Sequence, residues 1–218
     1  MTMNRLRTMA MLAALAVSCP AETQAASSPG SAKFDAPAFA AAVQRAQAGD
    51  AGVDYQWLRQ QQAIRDSYIG GPWPDFARVN TLLADKPADA LKVVQARIAQ
   101  NWADLVPHMA AQIALDKLGR ADEAAREKAI VIALARSIAG GHHGKDAADA
   151  FNAVTTGEEY QMLMLMGLKP AGQRLITQDG HSFDVMDAAD RTSGEKHAVW
   201  FNIDFFFGKE GGLDKLIK

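Results

Sequence analysis

The spacing of apolar residues changes once along this chain, and that change limits what it can fold into. Between residues 34 and 139 the large apolar side chains recur three and four positions apart, as in Leu91, Val94, Ile98 and Trp102, or Ile130, Leu134 and Ile138. Residues so spaced share one face of an α-helix. After Gly144 the spacing falls to two. It is plainest in residues 197–207, where Val199, Phe201, Ile203, Phe205 and Phe207 alternate with Trp200, Asn202, Asp204 and Phe206. That is the period of a strand. The expected fold class is therefore α+β, mainly α-helical hairpins followed by a small antiparallel β-meander. Such a meander needs helices on its apolar face to be stable.

The residues between these stretches set the element boundaries. Apolar residues at helical spacing predict helices over 34–48 and 55–69, and Gly70-Gly71-Pro72-Trp73-Pro74 stops any helix there. Phe76, Val79, Leu82 and Leu83 mark a short helix, Pro87 opens the next, and Pro107 sits in the first turn of another. Gly119 ends that helix, and Asp122 and Glu123 favour the start of the one that follows. Residues 114–130, ALDKLGRADEAAREKAI, are similar to the inter-helix turn of a tetratricopeptide repeat, and 88–105 to the second helix of a preceding one. Fewer than about three such repeats cannot stand alone, so these helices must pack on something else. Thr156-Gly157-Glu158-Glu159 reads as a capping box in which Glu159 reaches back to the helix start. Met162, Met164 and Met166 in that helix read as core fillers. Strands are expected at 173–178, 181–186 and 197–207, joined by a two-residue Asp179-Gly180 hairpin and a turn at Thr192-Ser193-Gly194.

The N-terminal residues read as an export signal. Arg5 and Arg7 precede an apolar run at 9–17, too short to span a membrane, and Thr23-Gln24-Ala25 offers a cleavage site. This divides the chain into a signal peptide at 1–25, a flexible linker at 26–33 and a single α+β domain at 34–218. Within the domain, 34–139 form helical hairpins and 140–218 a helix plus the meander. The expected location is periplasmic or secreted. Leu15-Ala16-Val17-Ser18 before Cys19 resembles a bacterial lipobox, which makes a lipid anchor at Cys19 the alternative. Cys19 is the only cysteine, so the expected folded part has no disulfide, thiol nucleophile or thiolate metal site. A formal net charge of −2 with no basic block argues against nucleic acid as a partner. No second long apolar run predicts a transmembrane segment.

In the C-terminal half, GGHHGKDAADAF, EEYQMLMLMGLKPAGQRLI, DGHSFDVM and VWFNIDF together resemble the bacterial family catalogued as domain of unknown function 4919. The resemblance spans roughly residues 54–207. It implies an exported protein with a tetratricopeptide-like helical part and a small C-terminal sheet, and it implies no activity. The family's loop before the Ala-Phe pair usually reads Ser-Gly-Asp-Gly-x-Ser. Counting back from Ala150-Phe151 places Gly144 at its second glycine and Asp146 at its final serine, with His142 and His143 where relatives carry glycine and an acid. The resemblance therefore points to Gly144 and Asp146 rather than to the histidines.

Few residues suggest chemistry. His142 and His143 could bind a metal only with help from His181 or His197, and adjacent histidines on regular backbone point apart. If the last turn centres on Ser193, Asp184 lies opposite Asn202, with Asp204 diagonal to it. Two carboxylates on one strand face could do acid–base work if burial separates their pKa values. The alternative is the hydrated outer face usual in antiparallel sheets. The candidate binding residues are Gly144, Asp146, His181, Asp184, Asn202 and Asp204. No catalytic residue, metal ligand or cofactor is assigned. The first expectation is a non-enzymatic module that binds a peptide, a protein or an envelope component. The second is a small periplasmic hydrolase or metal-binding protein using Asp184 with Asp204, or His143 with His181.

Overall fold

Asp35 and Asp54 start the first two helices by accepting hydrogen bonds from the amides of Ala38 and Trp57, the usual work of an aspartate N-cap. We describe a computed structural model of the chain, and the residues described are 33–67 and 73–208. The expected signal peptide, Cys19 and almost all of the linker lie outside them, as does Ile69. In chain order come α1 (Ala36–Gln47), α2 (Tyr55–Arg65), α3 (Phe76–Asp85), α4 (Pro87–Gln100), α5 (Leu105–Lys117) and α6 (Ala121–Ala139). A short 3₁₀ turn (Ala147–Asp149), β1 (Phe151–Asn152), α7 (Thr156–Leu165), β2 (Leu168–Gln178), β3 (His181–Asp190) and β4 (Lys196–Asn202) complete the fold. The fold is α+β, as its two periods predict. Helix α2 stops short of the expected residue 69, with Asp66 as its C-cap and Ser67 already at φ +55°.

The sheet is larger than the expected meander and is mixed. Its order is β1-β4-β3-β2, with β1 parallel to β4 and the other pairs antiparallel. The two residues of β1 are too few for any periodicity to reveal. Strand β2 begins at Leu168, before the expected residue 173, and carries Pro170 beside a register shift. An edge strand tolerates both. The Asp179-Gly180 turn forms as expected, with both residues at positive φ.

Strand β4 ends at Asn202, not at Phe207. Asp204 turns the chain by accepting from the Ser182 amide, and Phe206 enters the core at 2 % exposure while Phe205 and Phe207 pack against it half-buried. The turn between β3 and β4 also moves the register. Asp190 bonds back to Glu195 across a four-residue loop, and its carboxylate accepts from the amides of Thr192 and Ser193. Asp184 therefore pairs with Phe201, and Phe183 with Asn202. A slip of one residue turns every side chain to the opposite face. Asp184 thus stands on the core face beside Met186, Val199 and Phe201, not on a hydrated outer face with Asn202.

Three apolar clusters make up the core, and α6 supplies each of them. Ala124 joins Val79, Val94 and Leu115 between the helix pairs. Ile130 and Leu134 join Phe39, Leu58 and Trp102. Ile138 joins Phe151, Leu163, Met186 and Phe201 under the sheet. At about 1.5 Å per residue, α6 is long enough to reach all three.

Gly144 marks the passage from helices to sheet. At φ +73° its backbone donates to the Asp149 carbonyl and accepts from the Trp200 amide. A Cβ there would lie 2.8 Å from the Phe151 ring and 3.0 Å from Val199. Gly144→Ala is expected to destabilise the protein by about 1–3 kcal/mol through strain and overpacking together. Denaturant titration of the purified variant against wild type checks this, and an unchanged midpoint would contradict the close approach.

Candidate functional site at the helix–sheet junction

Arg59 lies on the inward stripe of α2 and is 1 % exposed. A buried guanidinium must satisfy its fork of donors. Nε and Nη2 each donate to Glu158 of α7 at 2.8 Å, Nη2 also donates to the Asn152 carbonyl of β1 at 2.6 Å, and Nη1 donates to Ser137 Oγ of α6 at 3.2 Å. Glu158 accepts in turn from the Val154 amide at 2.8 Å. One side chain thereby ties together α2, α6, β1 and α7. The capping box is displaced by one residue from its expected place. Thr155 is the N-cap without a side-chain bond, and Glu158, not Glu159, makes the backward contact.

Glu159 faces the other way. It is fully buried, and its charged neighbour is the carboxyl of Asp184, itself 3 % exposed. Burial, followed by the charge of Asp184, pushes Glu159 up to about 9, and burial raises Asp184 as well. Gln173 donates to Asp184 Oδ2. Neither oxygen of Glu159 nor Asp184 Oδ1 has a hydrogen-bond partner among the described residues. A protonated Glu159 donating to an ionised Asp184 supplies the missing bond with one negative charge instead of two.

A small cavity of about 40 Å³ lies on the outer side of the Arg59–Glu158 pair, between the C-terminal ends of α2 and α4 and the start of α7. Asp104 forms one wall. Its Oδ2 accepts from Arg97 at 2.9 Å and its Oδ1 from Gln161 at 3.0 Å, while burial raises its pKa against the pull of Arg97. Gln62 and Asn101 also line the cavity, and the side-chain oxygen of each is buried without a donor. The Gln62 amide nitrogen is committed to Asp66 at 2.6 Å, which fixes Oε1 as the free atom. Arg97 is shared with a groove of about 330 Å³ whose apolar side chains are Trp73, Val93 and Ala96 and whose polar ones are Asp75, Lys92 and Gln100.

The residues singled out from the sequence do not converge. Gly144 is a packing glycine. Asp146 caps the 3₁₀ turn through the amides of Ala148 and Asp149. His143 meets Asp149 at 3.2 Å and His142 meets the same carboxylate at 3.6 Å, so His143 is not paired with His181. His181 instead bonds Asp204 at 2.5 Å on the surface, and Asn202 bonds the same carboxylate at 3.3 Å. Burial alone would raise Asp204, but the bonds from Ser182, His181 and Asn202 hold it below the ordinary carboxylate range. Asp184 lies on the core face, beside Glu159 and hydrogen-bonded by Gln173, so the expected pairing of Asp184 with Asp204 is replaced. Among the described residues no group of three or more His, Cys, Asp or Glu side chains could hold a metal ion, and no helix is long and apolar enough to cross a membrane. Compared with family models, curated proteins and solved structures, the chain matches none.

Arg59, Gln62, Asn101 and Glu159 were not among the sequence candidates. One signal was available, since Tyr55, Arg59 and Gln62 sit at i, i+4 and i+7, placing a cation on the stripe where α2 must be buried.

The carboxyl pair gives stability a pH dependence whose sign is fixed. Glu159 binds its proton more tightly folded, near 9, than unfolded, near 4.5. Its contribution is complete below the unfolded value and is lost as pH rises toward the folded one, at a slope of up to about 1.4 kcal/mol per pH unit. Urea midpoints measured from pH 5 to pH 8 should therefore fall for wild type. Glu159→Gln, whose amide donates to Asp184 at every pH, should flatten that fall. An equally steep fall in the variant would place the titration elsewhere.

Proposed function

We propose that this protein is a non-enzymatic binding module that seats a peptide or protein segment in the recess beside α4. The observation that carries this reading is the pair of buried, donor-less oxygens of Gln62 and Asn101 in a cavity that shares Arg97 with an apolar groove. Concave apolar surface joined to a few fixed polar groups is the usual makeup of a ligand site. Trp73, Val93 and Ala96 offer the apolar shelf. The carboxyl groups that could do acid–base work are engaged elsewhere. Glu159 and Asp184 are sealed in the core, and Asp204 is held by His181 and Ser182.

The setting proposed for this activity is the periplasm or the exterior, after export by the N-terminal signal, with a lipid anchor at Cys19 as the alternative. Mass spectrometry of the protein from a native host is expected to find an N-terminus near Ala26. A diacylglycerol mass on Cys19 would establish the anchor instead. Membership of the domain of unknown function 4919 family belongs to the same proposal and rests on the C-terminal motifs.

Selection of displayed random peptides on the folded protein tests the binding reading. Enriched peptides should bind wild type and lose about tenfold or more on Ala96→Arg, which fills the groove, with the melting temperature unchanged. Selection that enriches nothing, or peptides indifferent to Ala96→Arg, would remove this reading.

A further inference from the structure

We infer that the cavity behind Arg97 is a subsite for a primary ammonium group, such as a lysine side chain or the amino terminus of a bound segment. The inference deepens the binding reading above and uses the same recess. It starts from an imbalance of donors and acceptors. Gln62 Oε1 and Asn101 Oδ1 are buried acceptors without donors. Leaving such groups unpaired costs about 1–3 kcal/mol each, so an occupant must bring hydrogen.

Charge narrows the choice of occupant. Around the cavity stand Arg59 and Arg97 against Asp66, Asp104 and Glu158, and Arg65 reaches Asp66 at 3.0 Å, so the formal charges balance and an anion would have no free cation to meet. Each arginine is already committed to a carboxylate, Arg59 to Glu158, Arg97 to Asp104 and Arg65 to Asp66, and none donates to the two orphan oxygens. The ends of α2 and α4 that meet here are C-terminal ends, which carry partial negative charge, and Arg65 donates to the last carbonyl of α4, that of Gln100. The start of α7 opposes them with partial positive charge. Glu158 in its first turn offsets that charge locally.

Size narrows it further. A space of about 40 Å³ takes two or three water-sized groups. It admits an ammonium and its last methylene, but not a planar guanidinium with its full fork. The ammonium's three donors can meet Gln62 Oε1, Asn101 Oδ1 and a carboxylate oxygen of Asp66 or Asp104. The alkyl stem behind it would pass Arg97 toward Val93 and Ala96, as lysine stems cover apolar surface while the head stays polar.

The test uses the whole folded protein and n-butylammonium, with 1-butanol as the neutral probe of equal shape, followed by nuclear magnetic resonance of the Gln62 and Asn101 side-chain amides. Saturable shifts at both amides with butylammonium and none with butanol are expected. Asn101→Leu should weaken binding about tenfold, the worth of one hydrogen bond to a charged group. Asn101→Asp should tighten it. The second variant guards against a folding defect in the first, because only a real cation site gains from it. Absence of saturation, an equal response to butanol, or weaker binding by Asn101→Asp would overturn the inference and leave the cavity to water alone. The two readings fail separately. Selected peptides that bind without a lysine or amino-terminal requirement would sink the subsite and keep the module, whereas butylammonium binding without any enriched peptide would do the reverse.

Discussion

A cation is buried where helices and sheet meet, and the rest of the structure answers to it. Arg59 brings a fork of N–H donors out of water, so it has to be paired where it lies. Its partners come from residues 78, 93 and 99 positions away along the chain. Every one of them must be in place before the guanidinium is satisfied. A buried pair adds little net stability relative to apolar residues of the same shape, yet removing one partner strands the other charge at a cost of about 3–5 kcal/mol. The Arg59–Glu158 bond therefore acts mainly on geometry. It fixes the angle at which α7 enters and the point at which β1 begins. β1 in turn pairs with β4, and so the last strand of the sheet is positioned by a residue of the second helix.

Glu158 and Glu159 show how one short helix joins two layers. Neighbouring residues on an α-helix point about 100° apart. Glu158 reaches the helical side and accepts two hydrogen bonds from Arg59. Glu159 reaches the sheet side, finds Asp184 instead of a cation, and keeps its proton. The same side-chain type thus meets a guanidinium at one position and a carboxyl at the next, and the environment alone decides how each is satisfied. The proton shared by Glu159 and Asp184 does for the sheet face what Glu158 does for Arg59, because it satisfies polar groups that packing has taken away from water.

The sequence disclosed the parts of the fold that follow from local periodicity. Helix and strand spacing predicted the α+β class, α3 through α6, and the Asp179-Gly180 hairpin, since each depends on residues close in the chain. What it did not disclose depends on distant partners. β1 has two residues and exists because β4 lies beside it. The register between β3 and β4 was set by Asp190, whose carboxylate shapes a four-residue loop and turns Asp184 into the core. The capping pattern at 156–159 was visible but displaced by one residue, because Arg59 claims Glu158. The candidates His143, His181, Asn202 and Asp204 were conspicuous by residue type. Gln62 and Asn101 are ordinary polar residues in helical sequence. They become a site only when the ends of α2 and α4 are brought against α7.

That convergence is a consequence of the same constraint. Pinning α7 to Arg59 brings its first turn against the ends of α2 and α4, where polar backbone and side chains are densest because helix ends leave carbonyls unpaired. Asp104 closes part of the gap by holding Arg97 and Gln161 together. The small residues Ala63, Ala103 and Gly157 line what is left beside the polar groups and do not fill it, and the space is too small for a loop. A fold that buries one arginine at its centre therefore leaves a polar cavity at the rim of that burial, with acceptors in excess. The apolar shelf of Trp73, Val93 and Ala96 adjoins it only because Arg97 forms a wall of both. The recess is thus a by-product of how the helices are fastened to the sheet, and its acceptors define the chemistry of whatever occupies it.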